Sequence, residues 1–305
     1  MIANQLALIR REIWEHRSIY VTPIAIAVIM TLVSVAGMVT VSAFDREVEL
    51  AIFGASSIAG DAERRAALTF FFLGTSWIFL LALAILIAFY ALDSLYAERK
   101  DKSILFWRSL PVTDAEMVLS KLVTAIVVIP LVTVVAIIVT HLVNLVISSI
   151  WLAINGGDAG HLIWGSVPLF DNWTAGLIVT LASAMWMSPF VGWFLLVSAY
   201  AKRSPILLAI MPLVVIPLIE WIFFRSAVFA EIVFGRGGML PLFRGMDLER
   251  YFDEDRMRME EEAVSLLAHL DVAGFLGSPS LWAGLLACGL FTTGAVYLRR
   301  YRGEV

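Results

Sequence analysis

Tyr96-Ala-Glu-Arg-Lys-Asp-Lys-Ser-Ile-Leu-Phe-Trp-Arg-Ser-Leu-Pro-Val-Thr-Asp-Ala-Glu-Met-Val-Leu-Ser-Lys121 interrupts two long apolar runs, Leu68 to Leu95 and Thr113 to Ile154. The hydrocarbon core of a bilayer is about 30 Å thick and an α-helix rises about 1.5 Å per residue, so apolar runs near this length cross it as helices. The charged stretch therefore reads as a loop between two spans. Further runs cover Ile19 to Phe44, Ala175 to Tyr200, Pro205 to Phe224 and Pro279 to Leu298, which makes six spans. Composition agrees: 305 residues, 60% hydrophobic, 16% charged and a mean hydropathy of +0.88 give more apolar surface than a water-soluble globule can bury. The short alternating segments of a β-barrel are not visible. The expected fold is an all-α integral membrane protein of six transmembrane helices.

Before the first span, residues 1–18 place Ile2, Leu6, Ile9 and Ile13 at helical spacing opposite Arg10, Arg11 and Glu12, with Trp14 at the edge. This pattern predicts an amphipathic helix lying in the interface. The first apolar run is too long for a signal-peptide core and lacks a small-residue cleavage pattern, so it is expected to remain as a span. Cys288 is the single cysteine, which excludes an intrachain disulfide. The spanning block, 19–224, carries the loop 96–121. Residues 225–278 form a predominantly acidic outer-face segment, with a charged helix expected from Asp247 to about Asp271, and 279–305 supply the last span and tail.

Orientation follows from the basic residues. Arg10, Arg11, Arg17, Arg99, Lys100, Lys102, Arg108, Lys121, Lys202, Arg203, Arg299, Arg300 and Arg302 fall on one side. The other nine fall opposite, six of them within 225–278. Both termini and the 96–121 loop are thus expected in the cytoplasm, with the chain in the cytoplasmic (inner) membrane.

Inside the loop, Pro111 disfavours helix at Leu110 and ends a short helix expected from about Asp101 to Ser109. Thr113 then reads as an N-cap, with Glu116 completing a capping box for the third span. Ile104, Leu105, Phe106 and Trp107 carry more apolar surface than a solvated loop requires, so they are expected to dock on protein or on the interface. Glu98-Arg99, Ser103-Ile104-Leu105, Ser109-Leu110-Pro111-Val112-Thr113 and Lys121 together resemble the first cytoplasmic loop of ABC-2 type permeases, the membrane subunits of one class of ATP-driven exporters. The resemblance implies that the short helix is a coupling helix seated in a separate ATPase subunit. Arg99, Lys102, Ser103, Ile104, Leu105, Phe106, Trp107 and Arg108 would make that contact. It also implies two ATPase copies, a dimeric permease, and ATP with Mg bound on the partner rather than on this chain. The long charged segment before the last span departs from the compact hairpins of the polysaccharide and lipid exporters of that family.

Catalytic chemistry finds no purchase. No Gly-x-x-x-x-Gly-Lys-[Ser/Thr] motif occurs, so this chain is not the ATPase, and His16, His141, His161 and His269 show no zinc-ligand spacing. No catalytic residue, cofactor or metal site is assigned. The acidic clusters 253–255 and 260–262 lack the alternation of a calcium loop and read as a solvated helix face. Three polar residues at depth are candidates for a translocation path or gate. His141 and Asn144 share a face of the third span, where interhelical hydrogen bonding is the plainer reading, and Glu220 near the outer end of the fifth has Arg225 as its nearest partner in sequence. The expected function is a permease subunit of an ATP-driven exporter carrying a peptide, lipid-like or drug-like substrate outward. An ATP-independent secondary transporter or channel, and a membrane-bound immunity or scaffold protein, are the alternatives.

Overall fold

The computed structural model describes residues 2–44, 61–109, 111–165, 168–238, 240–243 and 265–301. Among them the chain is helical, with five helices long and apolar enough to cross a membrane and a bent pair that makes a sixth span. A helix, Ile2–Glu15, precedes span 1, Ser18–Phe44, and span 2 is Asp61–Lys100. Span 3 runs from Asp114 to Ile154, span 5 from Pro205 to Phe224 and span 6 from Pro279 to Tyr301. Span 4 consists of Leu169–Trp186 and Ser188–Tyr200, bent by 50°. The connection 45–60 and most of the expected charged helix, 244–264, lie outside the described residues. The last part of that helix takes another form: a 3-10 turn, Leu267–His269, gives way to extended backbone at Leu270 and a short helix, Val272–Leu276. Asp271 ends the expected helix because its carboxylate caps the next one, accepting from Gly274 N at 2.7 Å.

Prolines shape the spans by removing backbone donors. Ahead of Pro130, span 3 widens into a π-helical turn, Thr124–Val128, in which Ile129 N donates to Thr124 O. In span 4, Pro189 follows the break at Met187, and Phe190 N donates to Met187 O, so the Trp186 carbonyl loses the donor that a continuous helix would give it. The 26-residue helix that completes span 3 and the two parts of span 4 pack against span 2, and the main core joins Ile19, Leu83, Tyr90, Leu95, Ile129, Leu195 and Ala295.

Span 6 lies directly against the second half of span 4. A Cβ on Gly192 would come within 2.9 Å of the Cys288 Cα and carbonyl oxygen. Gly192→Ala is therefore expected to force the two backbones apart and to lower stability by about 1–3 kcal/mol, read as a drop in the thermal unfolding midpoint of the purified chain. Spans 1 and 5 are the least enclosed, with 11% and 6% of their most apolar windows buried. Their outward apolar faces suit lipid or another membrane protein.

Between spans 2 and 3 the chain turns in few residues. Lys102 adopts a left-handed backbone, φ 58°, and the short helix follows at Ser103–Arg108. The predicted capping box is formed: Glu116 N donates to Thr113 Oγ1 at 3.2 Å and Thr113 N donates to Glu116 Oε2 at 2.9 Å. Thr113→Ala removes one half of this exchange and is expected to lower stability by about 1 kcal/mol, while Thr113→Ser should retain it. Thermal unfolding of the two variants side by side makes the measurement.

Candidate functional site

The first candidate site is the short helix Ser103–Arg108 and the bed beneath it. Its residues divide by direction. Ile104 is 1% exposed and anchors the helix to the body, whereas Phe106 is 61% exposed and projects from it. Trp107 takes the Arg11 guanidinium over its ring at 3.6 Å and meets Phe106 edge-on. Ser103 Oγ donates to Glu98 O, and Lys102 is exposed. Arg99 is buried: its Nη2 donates to the Ser198 and Ala201 carbonyls at 2.7 Å each, closing the exposed end of span 4. Leu105 and Arg108 belong to the helix, but their side chains lie outside the described set. The outward contact surface is consequently narrower than the sequence pattern implied. Arg99 and Ile104 are holding residues, since each is already engaged within the chain.

The bed is a buried ionic network. Lys121 Nζ lies 2.8 Å from Glu12 Oε1 and 3.0 Å from Glu98 Oε1, and all three side chains are 1–2% exposed. Tyr90 Oη donates to Glu12 Oε2 at 2.8 Å. Arg11 reaches Glu98 at 3.3 Å, while Arg299 bonds to Glu98 and, at 3.0 Å through Nε, to Asp114. These groups join the N-terminal helix, the ends of spans 2 and 6 and the start of span 3. His16 borders the network, edge-on to Tyr90, and burial holds its pKa below the usual imidazole value against the upward pull of Glu12. Charge is balanced within the cluster, as buried ions require. The sequence reading treated Lys121 and Arg299 as cytoplasmic countable charges and did not pair them with Glu12 or Glu98. The available signal was their position, since each ionisable residue sits at the edge of an apolar run where an unpaired charge is unfavourable.

At the opposite end of the bundle lies a cavity of about 1050 Å³ walled by spans 2, 3 and 4 and by the segment between spans 5 and 6. His141 is in its wall, 2% exposed, with Nε2 at 2.8 Å from Thr75 Oγ1 and the Phe72 ring 4.5 Å away. Thr75 Oγ1 is within 3.0 Å of the Phe71 and Phe72 carbonyls, to which it donates. It therefore accepts from His141 Nε2, which leaves Nδ1 as an acceptor. Asn144 is not in that wall. Its Nδ2 donates to Thr140 O at 2.8 Å and to Thr31 Oγ1 of span 1 at 3.4 Å, the interhelical role that sequence reasoning set beside the path role. Glu220 also stands away from the cavity. Its carboxylate accepts from Ser226 Oγ at 2.7 Å, Val228 N at 2.8 Å and Phe229 N at 2.9 Å, capping the helix Val228–Phe234. Arg225 lies over the Trp221 ring at 5.4 Å.

The described residues thus form the six-span helical body of a multi-pass membrane protein, with a short helix between spans 2 and 3. The family described as ABC-2 family transporter protein matches residues 66–233, more than half of the chain, from span 2 through the helix after span 5. The chain belongs to this family and is a permease of an ABC-type transporter, a membrane component rather than a catalytic one. No curated protein and no solved structure matches it.

Proposed function

We propose that this chain is the transmembrane subunit of an ATP-driven exporter in the cytoplasmic membrane, with both termini and the Ser103–Arg108 helix on the ATPase side. It works as a dimer with two copies of a separate ATPase subunit, which binds the ATP and Mg. The observation that carries the reading is the division of the short helix. Phe106 and Lys102 face outward for a partner, while Ile104 and Trp107 are fastened to the body. Force applied at Phe106 passes through Trp107 and Arg11 into the Glu98, Lys121 and Arg299 network and so reaches spans 2, 3 and 6 together. A conformational change requires contact that differs between states, and the ATPase pair supplies it by closing around ATP. Substrate, in this reading, passes through the cavity that holds His141 and moves outward.

The experiment is reconstitution. The chain purified with its ATPase subunit into liposomes is expected to show ATP-dependent substrate efflux, lost when the ATPase Walker lysine is replaced. Transport driven by a pH gradient in the absence of ATP would sink the proposal in favour of a secondary transporter. That alternative draws no support from the geometry, because Glu220 caps a helix away from the His141 cavity.

A further inference from the structure

Among the described residues, the cavity wall contains no aspartate, glutamate, lysine or arginine. Its volume of about 1050 Å³ stands at the upper end of pockets that enclose a drug-sized molecule, roughly 300–1,000 Å³. A charged peptide or an ion placed there would leave water without a countercharge, which is strongly unfavourable. Apolar surface is what the wall offers, chiefly Leu80, Leu83, Ile87, Ile137, Val191 and Phe194 in its deeper part.

The described wall also carries Ser76, Thr180, Ser183, His141, Asn172 and Trp173, and the last three hold polar atoms without a partner. Asn172 is 8% exposed and neither amide atom has a hydrogen-bond partner; Trp173 Nε1 and His141 Nδ1 are likewise buried without one. Each is a buried group without a hydrogen-bond partner, a state that a bound polar group can relieve. Trp173 is a donor, His141 Nδ1 an acceptor, and Asn172 is both.

Access is from the side. Leu73, Trp77 and Leu81 line the cavity and are also 43%, 63% and 53% exposed, and their spacing of four places them on one face of span 2. The mouth is thus at membrane depth. Toward the bundle end, Phe234, Leu240, Phe243, Leu266 and Leu270 roof the space. Asp171 pins this roof through Ser265 Oγ and through Leu266 N at 2.8 Å.

We infer that this cavity, within a single protomer, binds one uncharged amphiphile from the bilayer: an apolar chain or ring body with a small hydrogen-bonding group that takes up unpaired polar atoms of the wall, those of Asn172 above all. The inference rests on the exporter reading for its role and narrows the substrate to lipid-soluble, uncharged molecules, excluding charged peptides. The apolar body comes either from a membrane lipid tail or from a free hydrophobic compound, and both present the same chemistry to the wall.

Photolabelling of the full-length chain in nanodiscs tests this, using a diazirine-bearing long-chain alcohol, the matching carboxylate and the matching alkane, with sites mapped by mass spectrometry. The alcohol is expected to label the wall around Ser183 and Met187, and to exceed the carboxylate there by about tenfold. Gly176 and Gly74 line the cavity, and a Cβ on either meets nothing within 4 Å. Gly176→Phe should therefore fill the space and reduce wall labelling about tenfold, with Gly74→Phe as the second variant should the first fail to fold. Asn172→Ala should reduce alcohol labelling about fivefold and leave the alkane unchanged. Phospholipid retained by wild type and lost by Gly176→Phe in native mass spectrometry identifies a lipid tail as the source; labelling without retained lipid identifies a free compound. Labelling spread over Val28, Leu32, Leu207 and Met211 on the outer faces of spans 1 and 5 and unchanged by Gly176→Phe would overturn the site, as would equal labelling by the carboxylate. These readouts use neither ATP nor transport. A labelled cavity in a chain without ATP-coupled efflux would therefore leave the site standing and remove the exporter, and the converse result would do the reverse.

Discussion

Replacing Lys121 by Met is expected to destabilise the chain by about 3–5 kcal/mol, the range for removing one partner from a buried ion pair. The reason is what remains. Glu12 and Glu98 stay buried, and Glu12 loses its 2.8 Å contact with the ammonium. Glu98 keeps Arg299 and Arg11, but Glu12 retains only Tyr90 Oη at 2.8 Å, Arg11 at 3.9 Å and His16 at 3.7 Å. The double variant Lys121→Met with Glu12→Gln removes the stranded charge as well, so it should recover at least half of the loss. Size-exclusion profiles and thermal unfolding of the three proteins decide the matter. A single variant as stable as wild type, to within about the 1 kcal/mol of an exposed pair, would show that water reaches this network.

Phe106→Ala carries the second large effect and acts on a different quantity. The ring is 61% exposed, so its loss should leave the fold intact. Under the docking role proposed above, the ring is expected to behave as an interface hot spot, so that its loss weakens ATPase-subunit binding by about 2 kcal/mol, roughly thirtyfold, and lowers ATP-coupled efflux in parallel. Ile104→Ala serves as the contrast. That side chain is 1% exposed, and its truncation should lower the chain's own stability by about 2–5 kcal/mol before it affects docking. Unchanged partner affinity and coupling in Phe106→Ala would remove the helix from the interface.

Local chemistry was legible in the sequence and distant pairing was not. Thr113 and Glu116 lie three residues apart, so their box could be read directly, and Pro111 ends the preceding helix through its own ring. The places of the spans followed from hydropathy, because each crossing must show lipid about 20 apolar residues; their full lengths did not, since span 2 runs on to 40 residues. Glu98 and Arg299, by contrast, are 201 positions apart, and nothing local to either residue announces the other. Pro189 signalled a kink in span 4 but could not give its 50° angle, which depends on the helices packed around it. Ile104 and Phe106 looked equivalent as apolar loop residues. Only the position of the body beneath the helix separates an anchor from a contact surface. The cavity was hidden for the same reason, since its wall draws on spans 2, 3 and 4 and on a segment that begins at Val233, well after the last span 4 wall residue, Phe194.

The break in span 4 ties the roof to solvent. Arg236 Nη1 donates to the Trp186 carbonyl at 2.9 Å, Trp186 Nε1 donates back to Arg236 O at 2.9 Å, and the guanidinium lies over the indole ring at 4.6 Å. It also reaches Ser280 O and fits against Gly284, where a Cβ would come within 2.6 Å of Nη2. One side chain thus stitches the bend of span 4 and the start of span 6 to the segment that closes the cavity. Lifting that segment withdraws the donor from a carbonyl that its own helix leaves unpaired, and hydrocarbon has no replacement to offer. Any opening of the cavity from that end would therefore have to be a wetting step as well as a mechanical one, since water is the partner left for the Trp186 carbonyl once the arginine leaves it.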